Sequence, residues 1–426
     1  MRQEGLFSYE NRLLLLLGFA FGIAFFDRNA ATYLAPIIEH DLHLSNAQVG
    51  YLGGVLSLTW AFGAYFIARW SDASGVRKPF LLAFLVIFSA CSFLSGLAPN
   101  FPVLLASRAI MGAVEGPFLP VCLAIMAVES SEHRRGVNAG IMQNFFASVL
   151  GQFLAPIVLV ALAVQFGWRS AFYIAGVPGL LCALAVFAWV REPAPPVRAT
   201  PESGSTSAGS GARMGLLGML RVRNILVCCL ISIFMVAYLV MGWTYLSKFF
   251  VDVRHFSPQT MSYLVATLGA ASATSGAVVA LISDRVGRKP AMVAFCLLGL
   301  STPLGALYFQ GSNSILGALL FAGWFASGTF PLFMGVVPGE TIPRRYAATA
   351  MGLIVCVGEV FGGFLINILA GKLGDVYSMR LTLLIQAACT LIGAALCLLL
   401  TETAPVRVRA AQAHRIAADA ARRTVA

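Results

Sequence analysis

Ala68-Arg69-Trp70-Ser71-Asp72-Ala73-Ser74-Gly75-Val76-Arg77-Lys78 recurs in outline as Ala280-Leu281-Ile282-Ser283-Asp284-Arg285-Val286-Gly287-Arg288-Lys289. Each copy carries an aspartate, a glycine and a basic pair in the same order, and the aspartates lie 212 residues apart. A second landmark repeats at nearly the same offset. Glu129 precedes Arg134-Arg135, Glu340 precedes Arg344-Arg345, and the glutamates are 211 apart. Two independent matches at one offset identify an internal duplication.

The duplicated unit is a set of apolar helices. The 426-residue chain is 59% hydrophobic and only 11% charged, too little charge to cover a soluble domain. Its apolar residues fall in runs such as 13–26, 80–97 and 383–400, and runs of about 18 or more match the bilayer core. Twelve spans are expected: 12–38, 46–69, 79–98, 101–128, 136–163, 168–190, then 222–250, 256–283, 288–309, 313–336, 347–374 and 378–401. The first run has no small-residue cleavage site and is interrupted by Asp27-Arg28, so it reads as a retained span. The fold class is an all-α membrane protein with two pseudo-symmetric six-helix bundles, 1–190 and 222–401. Residues 191–221, with Glu-Pro-Ala-Pro-Pro and a Ser/Gly tract, read as a cytoplasmic linker. Residues 402–426 read as a basic cytoplasmic tail that could lie on anionic membrane lipid.

Charge sets the orientation. Of 29 Lys and Arg, Arg169, Lys248, Arg254, Lys372 and Arg380 fall in odd-numbered loops, and Arg28 and Arg108 fall inside spans. The rest lie in the termini, the linker and the even-numbered loops, which places both termini in the cytoplasm of a bacterial inner membrane. The net charge of +11 then needs no nucleic-acid partner. The nine cysteines lie in apolar runs without a CxxC pair or metal spacing and read as packing residues. No phosphate-binding loop, hydrolase elbow or metal cluster is present, so neither an enzyme nor an ATP-driven pump is expected, and no cofactor.

The duplicated loop, G-x-x-x-D-x-x-G-R-K with alanine for the first glycine, resembles the signature loop of the major facilitator superfamily. That resemblance implies two six-helix halves around a midplane site. Asp72, Arg77, Lys78, Glu129, Arg134, Asp284, Arg288, Glu340 and Arg345 are then expected to form gating contacts on the cytoplasmic side.

Ionisable side chains inside spans are expensive and functional by default. Asp27 and Arg28 sit in the first span, and Arg108 and Glu115 in the fourth. Seven residues are about two helical turns, so Arg108 and Glu115 share a face with Gly112 between them, leaving room for a ligand or another helix. Two acids beside two arginines suit proton coupling next to anion binding. Phe-Asp-Arg in the first span, Arg-x-x-x-Gly-x-x-Glu-x-x-x-x-Pro from Arg108 to Pro120, and Gly167-Trp168-Arg169 resemble the anion:cation symporter family. The resemblance implies that Asp27 and Glu115 take protons, that Arg28 helps hold the substrate carboxylate and that Arg108 pairs with the acids. Tyr33, Gln143, Asn144, Tyr238 and Trp243 are weaker candidates for substrate contact, and Glu359 is a possible additional protonation site. The expected function is proton-driven symport of a small organic anion, a sugar acid or another monocarboxylate, by a monomer. The alternative is a Spinster-like lysolipid or multidrug exporter working by proton antiport.

Overall fold

The computed structural model describes residues 8–131, 134, 138, 140–192, 216–404 and 407. The side chains of Asp72, Gln143 and Arg345, most of 191–221 and the tail beyond 407 lie outside the described residues. Among the described residues twelve helices are long and apolar enough to cross a bilayer. The first six are Tyr9–Tyr33, Asn46–Ser71, Lys78–Leu97, Phe101–Met126, Ala147–Phe166 and Trp168–Trp189. The second six are Arg223–Asp252, Pro258–Val286, Arg288–Tyr308, Asn313–Thr341, Thr349–Val376 and Met379–Cys397. Large apolar side chains such as Tyr65, Trp70, Leu184, Phe187 and Trp189 are exposed, as lipid-facing residues must be when the surrounding solvent is hydrocarbon.

Local sequence explains the boundaries. The first span stops short of the expected 38. The chain turns at Leu34, and a separate helix, Ala35–Leu42, starts with Pro36 in its first turn, where a missing N–H is harmless. Ser45 and Gln48 form a reciprocal capping box at the start of the second span. Asn100 caps the fourth span and Ser312 the tenth, each accepting from the backbone N–H three residues on. The motif glycines also match. Gly75 and Gly287 both have positive φ, 72° and 110°, a conformation open to glycine without a Cβ penalty.

The described chain forms two compact units, residues 1–215 with 247–269 and residues 216–246 with 270–426. Contacts thus group the end of the seventh span and the start of the eighth with the first unit. In that unit the second and fourth spans touch backbone to backbone. A Cβ on Gly112 would overlap Thr59 and the Leu56 carbonyl, and one on Gly63 would overlap the Ala113 carbonyl. Gly112 therefore makes room for another helix rather than for a ligand.

The duplication extends to irregular turns. The fourth span breaks at Gly116-Pro117, between Phe101–Glu115 and Phe118–Glu129, and the tenth tightens into a 3₁₀ turn at Phe325–Thr329. The fifth and eleventh spans each widen into π-helix, at Ala147–Leu154 and Gly358–Ile366. Eight of the nine cysteines are buried as packing residues. Cys356 is exposed, which corrects its reading as a packing residue.

Candidate functional site

The four intramembrane charges meet in the first unit. Asp27 is fully buried, and its Oδ1 accepts a 2.6 Å hydrogen bond from Ser92 Oγ on the third span. Its Oδ2 is buried without a hydrogen-bond partner. Arg28 is the most open of the set, with 18% of its side chain exposed, and its guanidinium lies 5.4 Å from the Phe25 ring and 5.8 Å from the Trp60 ring. Its Nη1 is 3.8 Å from Glu115 Oε2. Both Glu115 oxygens are buried with no hydrogen-bond donor, so Arg28 is the charge that compensates this acid.

Arg108 does not pair with the acids as the resemblance implies. Among the described residues it makes no ion pair. Its Nη2 donates to Ser95 Oγ at 2.6 Å, its Nη1 reaches the Arg28 carbonyl at 3.4 Å, and its plane lies 5.4 Å from the Phe172 ring. The physical reason is the third span. Ser95 also meets Ser107 at 2.8 Å, and the direct bond from the guanidinium goes to this hydroxyl pair instead of a carboxylate. Arg108 still stabilises both carboxylates through space. Ser92 and Ser95 escaped the sequence reading because serines in apolar helices are common. The available signal was their three-residue spacing, continued by Ser89, on one buried face.

The weaker candidates separate. Tyr33 is fully buried and donates to the Gly151 carbonyl at 3.1 Å, a carbonyl it shares with Asn29. It ties the first span to the fifth instead of lining an open surface. Asn144 is exposed and bonds back to the Gly140 carbonyl of its own helix. In the second unit Tyr238 is buried, with its hydroxyl 3.2 Å from Thr302 Oγ1 and 3.3 Å from the Gly323 carbonyl. Its ring leans on Trp324, which Trp243 meets edge-on at 4.9 Å. Tyr238 is thereby a packing residue of that aromatic cluster. Glu359 is half-buried in the π-helical part of the eleventh span.

The motif residues make definite contacts within each unit. Arg288 binds Asp284 at 2.5 Å and Glu340 at 3.0 Å. In the other copy Arg134 reaches the first span. It lies 3.7 Å from Glu10 and donates to Asn11, because Glu10 at the start of the first span is buried and needs a cation. Two glutamates went unnoticed. Glu192 accepts from the backbone N–H of Arg77 and of Lys78 at 2.6 and 2.9 Å. Glu402 accepts from those of Arg288 and Lys289 at 2.8 and 3.1 Å. Each carboxylate caps the positive N-terminus of a helix. Their signal was a third repeat, Glu192-Pro193-Ala194-Pro195 against Glu402-Thr403-Ala404-Pro405.

Lys248 is not in a loop, as its charge suggested. It is 3% exposed inside the seventh span and binds Glu39, of the helix Ala35–Leu42, and Asp252 at 2.5 Å. Two carboxylates make that burial tolerable. On the same short helix Asp41 accepts from Arg169 and, at 2.9 Å, from Trp168 Nε1. The bond from Arg169, then that from Trp168, holds the Asp41 carboxyl below its ordinary value.

The chain matches the family described as Major Facilitator Superfamily over residues 17–366, with a second match over 252–424. It is 27% identical over 416 residues to the probable 4-methylmuconolactone transporter of Cupriavidus pinatubonensis, covering 93% of this chain and 92% of that one. It is 27% identical over 386 residues to the 3-(3-hydroxy-phenyl)propionate transporter of Escherichia coli, covering 86% and 88%. Among solved structures it resembles a bacterial homologue of the human lysosomal transporter Spinster, with TM-score 0.77 and 18% identity over 92% of this chain and 97% of that one. At that identity the likeness is one of fold.

Proposed function

The chain belongs to the major facilitator superfamily, a multi-pass membrane transporter and not an enzyme, and from that premise we propose that it carries a small organic anion together with protons. The observation that carries this reading is the partly exposed Arg28 beside the donor-less Glu115, 3.8 Å apart. While Glu115 is charged it competes for the guanidinium. A proton on Glu115 removes that competition and frees Arg28 to take a substrate carboxylate in a bidentate fork. Proton and anion binding then favour each other. The loaded site carries less net charge through the membrane than the anion alone, which lowers the cost of crossing.

The class of substrate is a monocarboxylate, in keeping with relatives named for a muconolactone and a phenylpropionate. Asp27, buried next to Arg28 and with one oxygen unpartnered, is the second proton site. The proton gradient is the energy source, no cofactor takes part, and the protein acts as a monomer in the inner membrane with both termini in the cytoplasm.

Counterflow and gradient-driven uptake in proteoliposomes across a panel of organic acids test the reading. Acid-stimulated accumulation of a carboxylate, with no movement of its amide, is expected. Transport of lysolipid or neutral solutes without any effect of organic acids would overturn it in favour of export.

A further inference from the structure

We propose that Ser92 is the positioning residue of Asp27, a hydroxyl that satisfies this carboxyl in both protonation states by turning between two acceptors. The inference rests on reading Asp27 as a proton site. Ser92 and Asp27 are both fully buried. Ser92 Oγ lies 2.6 Å from Asp27 Oδ1 on the first span and 2.9 Å from the Phe172 carbonyl oxygen on the sixth. It has one proton for two acceptors, so it can serve only one at a time.

The protonation state of Asp27 decides which. When the carboxyl is charged, Ser92 donates to Oδ1, a short charge-assisted bond. When a proton arrives, it has two oxygens to choose from. On Oδ2 it would be a buried donor without an acceptor, because that oxygen has no partner, and such a group is costly. On Oδ1 it donates to Ser92 Oγ, and the Ser92 hydroxyl turns to the Phe172 carbonyl. No other bond changes and one proton is gained. The charged and titratable groups around Asp27 are Arg28 beside it in the chain, Arg108 and Glu115 on the fourth span and the Cys91 thiol on the third. None of them is among its hydrogen-bond donors.

Infrared difference spectra of the full chain in lipid nanodiscs, taken across pH, test this. The Asp27 carboxyl band is the one that disappears in Asp27→Asn. In Ser92→Ala that band should move to higher wavenumber, because its hydrogen bond is gone. Its titration midpoint should rise by about one pH unit, since the charged form loses the stronger bond. Ser92→Thr should restore both, and Ser92→Cys, similar in size and a weaker donor, should fall between. An unchanged band and midpoint in Ser92→Ala, a threonine variant that behaves like alanine, or no Asp27-dependent band at any pH would each overturn the assignment. Uptake measured on the same preparations separates the two readings. An Asp27 band that behaves as described without acid-driven uptake sinks the transport reading alone.

Discussion

Arg28 of the first span faces Glu115 of the fourth at 3.8 Å, although Arg108 lies only two turns from Glu115 on the same helix. Partnership here follows the crossing of spans and the Ser95 hydroxyl, not distance along the sequence. Arg28→Ala should therefore take the facing cation from the buried Glu115 and leave only Arg108 to act through space, and breaking a buried pair costs about 3–5 kcal/mol. The double variant Arg28→Ala/Glu115→Gln should recover much of that loss. Thermal unfolding in detergent of the two single variants and the double variant measures the coupling, and strict additivity would refute the pairing.

Glu115→Gln should bind and exchange substrate but lose accumulation driven by a pH gradient. Exchange needs only the loaded carrier to reorient, whereas net uptake needs the empty carrier to return without its proton. Counterflow and gradient-driven uptake, run side by side, make the comparison. Equal retention of both activities removes Glu115 from coupling.

Arg108→Lys should not substitute for arginine. One ammonium cannot reach Ser95 and the Arg28 carbonyl together while stacking on Phe172. Loss of one charged hydrogen bond is expected to cost about 1.5–3 kcal/mol. A melting temperature equal to that of the parent would show that the fork geometry is immaterial.

Gly112→Ala and Gly276→Ala should have opposite signs. The new methyl at 112 meets the Leu56 backbone, while nothing lies within 4 Å of the position at 276. Overpacking at the first should cost about 1–3 kcal/mol. Gly276, inside the eighth span, should instead stabilise by about 0.5–1 kcal/mol through the better helix former. Paired thermal melts decide the matter.

The acid limb of stability should involve Asp41. Its carboxyl is held below the ordinary value by Arg169 and Trp168. The contribution is complete above the ordinary value, about 4, and disappears as pH falls through the lower folded value. The difference in melting temperature between the parent and Asp41→Asn should be constant above about pH 4 and shrink below it. A difference that grows on acidification would reverse the sign and reject the account.

The duplicated Asp72 and Asp284 loops made the architecture legible, because a repeat survives where individual propensities say little. The cost of charge in hydrocarbon likewise singled out Asp27, Arg28, Arg108 and Glu115. What could not be read was who pairs with whom. Pairing depends on helix rotation, and that is set by glycine contacts such as Gly63 against Ala113. Lys248 misled for a related reason. A lysine near a helix end reads as a loop residue unless the distant Glu39 is known to neutralise it. Tyr33 and Tyr238 were drawn into the site by their hydroxyls, which backbone carbonyls on other spans had already claimed.

Glu192 and Glu402 give each six-span repeat its own clasp. The segment leaving the sixth helix closes on the start of the third, and the segment leaving the twelfth closes on the start of the ninth. A repeat fastened in this way does not depend on covalent continuity with its copy to hold its last helix to its third. The protein is therefore a natural candidate for a split gene, expressed as two polypeptides divided between Glu192 and Leu216. Each fragment would keep its own capped helix, and charge reversal at either glutamate would unfasten one fragment while leaving the other closed.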